Sequence, residues 1–598
     1  MGNIKQLKKE DKDTEENKMV KKSLDFVFLI GGEAGQGIQS TGQILTKTIV
    51  KNGFHVFADQ DFESRIRGGH NYFRIRVSDK PVQAIKEEID FVIALNAETV
   101  ALHQSELKSE GTLIYDTKIT EKLSYLGPNH FGVPFEKLAK EQAGNQITKN
   151  TVALGATAAF VQLDLTSLAS VLKRTFRNKE KKVISSNLVA AKVGYKYVIE
   201  QLKKQITQTF TSKQKNSNIL LNGVEAVALG ALASDCRFMS GYPMTPSSGI
   251  LQYFASKSRD LGVVFEHAED EIAALNMIIG ASYAGVRSMT ATSGGGFSLM
   301  VEALSLSGMT ETPVVIVLGQ RPGPATGLPT RTEQGELNFA IHAGHGMFPR
   351  VVFAPSTIDE CFFLTSKAFN LAENYQIPVI ILTDQYIGDS YVTANSFDLS
   401  QVKINRGEFV SKKELLKIGK YKYMRHKLTP SGVSPRVQPG TKNALVVTDS
   451  DEHTQEGHIT ESANVRNKMV EKRLKKLEGL RKEIASPKSI GHKTATTVFV
   501  SWGSTFGALK EAVDILNSQG RSVRMIHFSE IWPFPANTFI KQLGDFKEII
   551  VVESNASGQM ANLIAKETGL TKQKKILRYD GRPITPKYII ENIKGGTF

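Results

Sequence analysis

Short apolar runs alternate with helix-like segments along most of this chain, and the alternation constrains the fold more than any other feature. Runs such as DFVFLIGG, PVVIVLG and IPVIILTD are rich in Val, Ile and Leu, as buried strands are. Strands that are separated by helices usually pair in parallel, with the helices on both faces of the sheet. The sequence therefore predicts the α/β class, with several doubly wound domains built on parallel sheets.

Changes in composition divide this pattern into units. The N-terminal residues are rich in Lys, Glu and Asp without an apolar core, so we expect a disordered charged tail, neither a secretory signal nor a transit peptide. Three α/β units follow, separated by a polar linker and by a connecting segment that contains a charged helix. The predicted boundaries are 1–24 for the tail, 25–205 for the first unit, 206–218 for the linker, 219–405 for the second unit, 406–493 for the connecting segment and 494–598 for the third unit.

Composition restricts the classes of function. Cys236 and Cys361 are the two cysteines, far apart and outside any CxxC motif, which argues against a disulfide framework and fits a reducing cytoplasm. No apolar run reaches the roughly 20 residues of a membrane-spanning helix, so we expect no membrane association. The formal net charge is +15, but the excess lysines are dispersed with few aromatic residues among them, which favours solvated surfaces and anionic cofactors over nucleic acid.

A glycine-rich turn, GGEAGQG at residues 31–37, follows the first predicted strand and precedes a helix. Backbone N–H groups at such a helix start attract phosphates, so Gly35, Gln36 and Gly37 are candidate cofactor contacts. The spacing is not GxGxxG, which makes a nicotinamide-dependent dehydrogenase the weakest alternative.

Four arginines follow in the segment ESRIRGGHNYFRIRV. If the segment is extended, Arg65 and Arg67 project from one face, as do Arg74 and Arg76. Forked guanidinium groups suit phosphates such as those of coenzyme A. A solvated edge strand with paired charges explains the same pattern equally well, and both interpretations stay open.

The most informative stretch begins with SGYPMTPSS, in which prolines fix a loop and leave hydroxyl groups, among them that of Thr245, for a carboxylate-bearing substrate. The following EDEIAALNMIIGASYAGVRS opens with acidic residues and continues as a helix with few polar groups, which we expect to be buried. Glu271 at its start is either a charge that favours the helix N-terminus or a placed catalytic acid. Arg321, just after a strand, either binds a ligand or pairs with Glu333 or Glu336.

These motifs, together with TATSGGG and QRPGPATGLPTRTEQGEL, resemble the alpha subunit of 2-oxoacid:ferredoxin oxidoreductases, in the 2-oxoglutarate:ferredoxin oxidoreductase (2-oxoglutarate synthase) subgroup. The first unit resembles the gamma component of that family, fused ahead of the alpha component. The second resembles its thiamine-diphosphate pyrimidine-binding domain, and the third its transketolase-C-terminal-like domain. The resemblance covers nearly the whole chain and leaves out only the tail.

The resemblance implies roles for individual residues. Glu271 falls where the family keeps the catalytic glutamate that hydrogen-bonds N1′ of the thiamine aminopyrimidine. Thr245 and Arg321 occupy positions that bind the carboxylate of the substrate, and Thr330 lies near where the 2-oxoglutarate type reads the distal carboxylate.

Two parts of the family's chemistry are missing from this sequence. In place of the GDG motif and later Asn that hold diphosphate and Mg²⁺, it has only GDS at residues 388–390, and two isolated cysteines cannot hold a 4Fe-4S cluster. We expect no metal on this chain. A beta subunit would supply the diphosphate contacts, Mg²⁺, the cluster and the contact with ferredoxin, in a heterodimer or heterotetramer that shares thiamine diphosphate between subunits.

The reaction implied is the oxidative decarboxylation of 2-oxoglutarate with coenzyme A as co-substrate, giving succinyl-CoA, CO₂ and reduced ferredoxin. The nearest alternative is the same chemistry on pyruvate or a branched-chain 2-oxoacid. An alternative of another class is a non-catalytic nucleotide- or nucleic-acid-binding protein, in which Glu271 and Arg321 would be structural.

Overall fold

The computed structural model describes residues 24–63, 69–123, 126–201 and 218–593. Nearly all of the predicted tail and linker, together with Arg65 and Arg67, lies outside the described residues. Within the described residues the chain forms three β-sheets with helices packed on them, which confirms the α/β class. No helix in these ranges is both long enough and apolar enough to cross a membrane.

The helices and strands below are those of the described ranges. The strands are β1 Asp25–Glu33, β2 His55–Asp61, β3 His70–Ser78, β4 Ile89–Ala94, β5 Leu107–Asp116, β6 His130–Val133, β7 Ile219–Leu221, β8 Phe238–Gly241, β9 Val264–His267, β10 Ser288–Ser293, β11 Val314–Gln320, β12 Val351–Phe353, β13 Pro378–Asp384, β14 Tyr391–Ala394, β15 Lys488–Gly491, β16 Thr497–Trp502, β17 Val523–Phe528, β18 Glu530–Trp532, β19 Glu548–Glu553 and β20 Lys574–Leu577. The helices are α1 Ile38–Lys51, α2 Ala97–His103, α3 Phe135–Glu141, α4 Lys149–Phe160, α5 Leu165–Thr175, α6 Lys181–Gln201, α7 Gly223–Ala233, α8 Ser248–Leu261, α9 Glu271–Tyr283, α10 Gly294–Met309, α11 Leu337–His342, α12 Ile358–Tyr375, α13 Gln385–Asp389, α14 Lys412–Ile418, α15 Ala463–Glu483, α16 Phe506–Ser518, α17 Ala536–Leu543, α18 Gln559–Thr568 and α19 Pro586–Asn592.

The first sheet has the strand order β6-β5-β4-β1-β3-β2-β14-β7. Its β1, β4, β5 and β6 pair in parallel, as predicted. In contrast, β3 is antiparallel to both β1 and β2, and β14 and β7 continue the antiparallel part. The connection from β2 to β3 is too short for a crossover helix, so these two strands can pair only as neighbours of opposite direction. The first sheet therefore contains the predicted parallel part and an antiparallel part beside it.

The second sheet carries the candidate site. Its order is β18-β12-β13-β11-β10-β8-β9, with every pair parallel except β12 and β18. Every residue of β10, β11 and β13 is buried, as in a sheet covered on both faces by helices. The third sheet, β15-β17-β16-β19-β20, is parallel apart from β15.

The units share strands across their predicted boundaries. β7 and β14 come from the second unit but extend the first sheet, where Tyr391 pairs with Ala58 and Val392 with Phe57. β18 comes from the third unit and extends the second sheet. The three units therefore pack as one continuous body.

Helix α15 lies in the connecting segment, where the spacing of apolar residues predicted a helix. Its buried side includes Leu480, but also the charged side chains of Lys472 and Lys476. Both ammonium groups pair with the fully buried carboxylate of Glu311, which also contacts Nδ1 of His426 at 3.0 Å. A buried ion cluster thus joins α15 to the second unit.

Candidate functional site

Two acidic residues with different structural roles stand at the start of helix α9. The side chain of Asp270 caps the helix, accepting a hydrogen bond from the backbone N–H of Ala273 at 2.7 Å. Glu271 is the first helical residue and is only 2% exposed. Because Asp270 already provides the cap, helix capping alone does not account for the burial of Glu271.

One carboxylate oxygen of Glu271 has no protein partner. Its Oε1 atom is sealed from solvent and makes no hydrogen bond with the described residues. Burial raises the pKa of Glu271 above its ordinary value and the charge of Asp270 acts in the same direction, while the backbone N–H of Glu271 itself and the nearby hydroxyl of Thr292 work against them. A buried acceptor without a partner is costly, so such an atom is typical of a site that awaits a ligand.

Glycines at the start of α10 make room for this carboxylate. A Cβ atom at residue 296 would overlap Oε1 of Glu271 and Oγ1 of Thr292, so only glycine fits there. Beside them, Oγ1 of Thr292 and Oγ of Ser293 are also buried without a hydrogen-bond partner in the described part of the chain. The motif TATSGGG therefore forms a polar hollow beside Glu271.

Arg321 follows β11 directly, at the edge of the sheet where α/β folds bind ligands. Its Nη1 donates to the backbone carbonyl of Thr245 at 2.7 Å, which joins the two predicted substrate contacts. Arg321 is 7% exposed, and burial lowers its pKa although Glu336 nearby raises it. Among the described residues no carboxylate lies within 4.0 Å of Arg321, so the alternative ion pair with Glu333 or Glu336 is not formed.

The loops that carry these side chains converge on the first turn of α10. Ser247 donates to the carbonyl of Thr292 at 2.5 Å, which ties the SGYPMTPSS loop to the end of β10. A Cβ placed on Gly295 would lie 3.9 Å from Sδ of Met244 and 4.0 Å from the carbonyl of Ala325. The structure thus brings Glu271, Thr245 and Arg321 to one end of the second sheet.

Thr330, the predicted contact of the distal carboxylate, lies at the contact between the first and second units. It is buried and lines a small cavity of about 20 Å³ together with Asp59 and Tyr72 of the first unit and Ser390 of the second. The same loop reaches the first unit through the ion pair of Arg331 with Asp61. Thr330 therefore faces the junction between units in this structure.

The glycine turn is held by hydrogen bonds within the turn and from Asn150. Oε1 of Gln36 accepts from the N–H of Glu33 at 3.0 Å, and the carbonyl of Gln36 accepts from Nδ2 of Asn150 at 2.6 Å. Gly37 precedes α1 with φ of 77°, in the left-handed region that favours glycine. Gly35 also has a positive φ, and a Cβ there would meet no atom within 4 Å, so its outer face is open.

Arg74 and Arg76 make ion pairs within the protein, although Arg74 also lines a cavity of about 1000 Å³. They lie on one face of β3, as the extended pattern predicted, but β3 is an interior strand. Nε and Nη2 of Arg74 donate to Asp59 at 3.0 and 2.8 Å, and Arg76 pairs with Asp25 and Glu511. Both arginines are therefore charge-paired, as the second interpretation expected, but they are buried on an interior strand, so its solvated-edge part is wrong.

Two further residues of the site were missed in the sequence. Glu336 lies against the first turn of α10, and burial raises its pKa to about 8. Ser293 ends β10 beside it with its hydroxyl unpartnered. Both belong to motifs noted above, but only packing reveals that their polar atoms are buried.

No metal centre stands beside these residues. Within the ranges that the structure describes, no group of three or more His, Cys, Asp or Glu side chains could hold a metal ion. Asp389 of the GDS segment is half-buried, and desolvation raises its pKa to about 7. Its Oδ2 accepts from Nε2 of Gln385 at 3.3 Å.

Comparison with known proteins decides the family. The chain is 32% identical to the 2-oxoacid:ferredoxin oxidoreductase subunit alpha of Saccharolobus solfataricus, over 95% of this chain and 97% of that protein. This chain belongs to the 2-oxoacid:ferredoxin oxidoreductase alpha-subunit family. Membership favours an oxidoreductase over both a non-catalytic binding protein and a nicotinamide-dependent dehydrogenase.

Family descriptions match each α/β unit of this alpha subunit. Residues 229–472 match "Pyruvate flavodoxin/ferredoxin oxidoreductase, thiamine diP-bdg". Residues 27–197 match "Pyruvate ferredoxin/flavodoxin oxidoreductase", and residues 495–589 match "Pyruvate:ferredoxin oxidoreductase core domain II". A thiamine-diphosphate-binding domain is therefore present, and it contains the candidate site.

Two further similar proteins are named for 2-oxoglutarate. The 2-oxoglutarate synthase subunit KorA of Methanothermobacter marburgensis is 31% identical, over 63% of this alpha subunit and 98% of that protein. The 2-oxoglutarate:ferredoxin oxidoreductase from Magnetococcus marinus was solved with 2-oxoglutarate, coenzyme A and succinyl-CoA bound. It superposes with a TM-score of 0.88 at 31% identity, covering 96% of this chain and 99% of that one.

Proposed function

We propose that this alpha subunit takes part in the oxidative decarboxylation of 2-oxoglutarate with coenzyme A, which yields succinyl-CoA, CO₂ and reduced ferredoxin. The observation that carries the proposal is the buried, unpartnered Oε1 of Glu271 above the glycine start of α10. A hydrogen-bonding ligand is needed there, and N1′ of a thiamine aminopyrimidine would satisfy that oxygen.

Thiamine diphosphate, when bound, supplies the carbon nucleophile and the electron sink that decarboxylation requires. Glu271 would hold a proton at N1′. Burial raises the pKa of Glu271, which favours the protonated carboxyl group that can share its proton with N1′ through one hydrogen bond. Gly296 keeps the carboxyl group at the right depth by leaving no side chain in its way.

Substrate binding is assigned to Arg321 and Thr245. A buried guanidinium without a carboxylate partner attracts an anion strongly, and its fork suits a carboxylate. Thr330 would read the distal carboxylate of 2-oxoglutarate, a role supported by its position on the same loop after Arg321 and by the KorA and Magnetococcus relatives. Pyruvate or a branched-chain 2-oxoacid is the competing substrate.

Coenzyme A is assigned to the first unit. The open face of Gly35, with Gln36 and Gly37 at the start of α1, suits a phosphate group. Arg65 and Arg67 lie outside the described residues and remain predicted contacts for the same phosphates. The bound coenzyme A of the Magnetococcus enzyme supports a site on this kind of chain.

A partner subunit is needed to complete the site. On α9, which was expected to be buried all round, Ile272 is 47% exposed and Met277 39%, and Leu299 of α10 is 49% exposed. These apolar side chains lie on the two helices whose first turns carry Glu271 and the glycine motif. We therefore assign this face to a beta subunit that brings Mg²⁺, the diphosphate contacts and the 4Fe-4S cluster, and through it ferredoxin. A cytoplasmic heterodimer or heterotetramer remains the predicted assembly.

Anaerobic co-purification followed by 2-oxoglutarate- and coenzyme-A-dependent viologen reduction tests the proposal. Wild type and Glu271→Gln are compared, with pyruvate and a branched-chain 2-oxoacid as competing substrates. We expect an iron–sulfur partner, a preference for 2-oxoglutarate in kcat/KM, and a loss of at least about a hundredfold in kcat in the variant. Turnover by the chain without a partner, or an unaffected variant, would contradict the assignment.

A further inference from the structure

A second carboxyl group stands at the start of α10, opposite Glu271. A Cβ placed on Gly294 would lie 2.5 Å from Oε1 of Glu336, so this carboxyl group packs directly on the first residue of the helix. The backbone holds it there, because the N–H of Glu336 donates to Oε1 of Gln320 at 3.1 Å. Glu271 covers Gly296 on the same turn. Two carboxyl groups therefore flank one glycine-rich helix start.

The environment of Glu336 disfavours its charge. Its Oε2 atom is sealed from solvent and has no hydrogen-bond partner among the described residues. Burial raises the pKa of Glu336 to about 8, the charge of Glu333 acts in the same direction, and Arg321 opposes them. Gln320 is the neutral polar neighbour. A buried carboxyl oxygen without a partner favours the protonated form of Glu336, in agreement with the raised pKa.

Arg321 depends on this protonation state. Among the described residues, no carboxylate lies within 4.0 Å of its guanidinium group. The guanidinium group donates a hydrogen bond to the neutral backbone carbonyl of Thr245. Glu336 is the acidic group whose charge acts on Arg321. A protonated Glu336 leaves the positive charge of Arg321 uncompensated, whereas an ionised Glu336 would partly neutralise it.

We propose that Glu336 is a positioning residue that sets the affinity of the substrate site: protonated, it leaves the charge of Arg321 to the carboxylate of the 2-oxoacid, and ionised, it competes for that charge. The inference rests on the proposed function, since it takes Arg321 as the substrate contact. It adds Glu336, as a neutral acid, to the group of residues that recognise the substrate.

The sign of the pH dependence follows from the coupling. A bound anion and an ionised Glu336 repel each other, so the dissociation constant rises as the pH rises through the pKa of Glu336. We expect the weakening to be about tenfold, which corresponds to a coupling of roughly one pKa unit. Below that pKa the affinity is constant as far as Glu336 determines it.

The test uses the purified complex with its partner and glutarate, a dicarboxylate that lacks the reactive oxo group. Its Kd is measured by calorimetry from about pH 6.5 to about pH 9.5, spanning the value near 8. We expect an increase of about tenfold for wild type, with Glu336→Gln keeping the tight low-pH affinity throughout. Glu333→Gln is the matched control: it retains the dependence, with its midpoint moved to lower pH because one neighbouring charge is gone.

The outcomes separate two failures. A wild-type Kd that does not change with pH, or a Glu336→Gln variant with the wild-type dependence, overturns the role of Glu336 while the proposed function stands. If neither glutarate nor 2-oxoglutarate binds wild type at any pH, the proposed function fails and this inference with it. If Glu336→Gln does not assemble, difference infrared spectroscopy of wild type decides: a carboxylic acid carbonyl band must disappear at the midpoint of the Kd curve, and its absence overturns the inference.

Discussion

The carboxylate of Glu271 occupies the space that a side chain at Gly296 would fill. Glu271 opens α9 and Gly296 lies in the first turn of α10, so the two helix starts meet at this contact. The hollow is lined by buried polar atoms without partners, which costs free energy of folding. Close packing of the backbone maintains the arrangement.

Gly296→Ala should displace the carboxyl group of Glu271. The new methyl group would overlap Oε1 of Glu271 and Oγ1 of Thr292, so we expect kcat of the assembled complex to fall at least about tenfold. Gly388→Ala is the matched control, because its Cβ would make an ordinary contact at 3.5 Å with Val224. Equal activity of the two variants in the viologen assay would refute the placement of Glu271.

Glu271→Gln should stabilise the chain while it impairs catalysis. Ionising a buried carboxyl group without a partner costs free energy, so replacing it should raise the free energy of unfolding by about 1 kcal/mol near neutral pH. Since the folded-state pKa is raised, the gain appears as the pH rises above the ordinary value of 4.5 and vanishes below it. Urea unfolding at two pH values measures it, and a gain independent of pH would contradict the cause given.

The ion cluster around Glu311 should be essential for stability. Removing its charge in Glu311→Gln leaves the ammonium groups of Lys472 and Lys476 buried without a counter-charge, which should cost about 3 to 5 kcal/mol. The exposed pair of Lys510 with Asp514 is the control, and Asp514→Asn should cost less than about 1 kcal/mol. Denaturant unfolding compares the two variants. Similar losses in the free energy of unfolding would mean that the buried cluster stabilises the chain no more than an exposed ion pair does.

Stability from Glu311 should also depend on pH. The paired lysines hold the pKa of Glu311 well below its ordinary range, although burial works against them. A carboxylate with a depressed pKa contributes stability above its unfolded-state pKa and loses that contribution as the pH falls toward the folded-state value. The difference between wild type and Glu311→Gln should therefore shrink in acid, which unfolding at pH near 4 would detect.

Ile272→Asp should weaken binding of the partner subunit. Its side chain is exposed on α9 next to Glu271, and a charge there would be desolvated when an apolar face is covered. Leu399→Asp serves as control, because Leu399 is 63% exposed on a segment far along the chain. We expect the partner to co-elute with the Leu399 variant and to be lost from the Ile272 variant. Co-elution with both would move the interface elsewhere.

The fold could be predicted from the strand patterns in the sequence. The contacts between distant parts of the chain could not be. The apolar runs that became β1, β11 and β13 are uninterrupted, and such runs have few alternatives to a buried parallel strand. The pairing of β2 with β14 escaped prediction, because β14 returns to the first sheet from the second unit. Nothing local distinguishes Tyr391 in that strand from a loop residue.

The sequence motifs predicted which residues form the candidate site, but not how those residues pack. Arg321 and Glu271 stand in motifs specific enough to be recognised. That Asp270, and not Glu271, caps α9 follows from backbone geometry, which no residue pattern specifies. Likewise, Lys472 reads as a solvated charge in any helical pattern, and only its contact with Glu311, far away in the chain, explains why it is buried.

The strand exchange between units has a consequence for how this polypeptide can be divided. A fragment that ended with α6 would lack β14, and the backbone groups of β2 that pair with Tyr391 and Val392 would face water as an open edge. Such an edge invites a strand from another molecule, so the isolated fragment would tend to self-associate. The covalent order of the units therefore does more than keep them at high local concentration: the chain protects its own first sheet by returning to it.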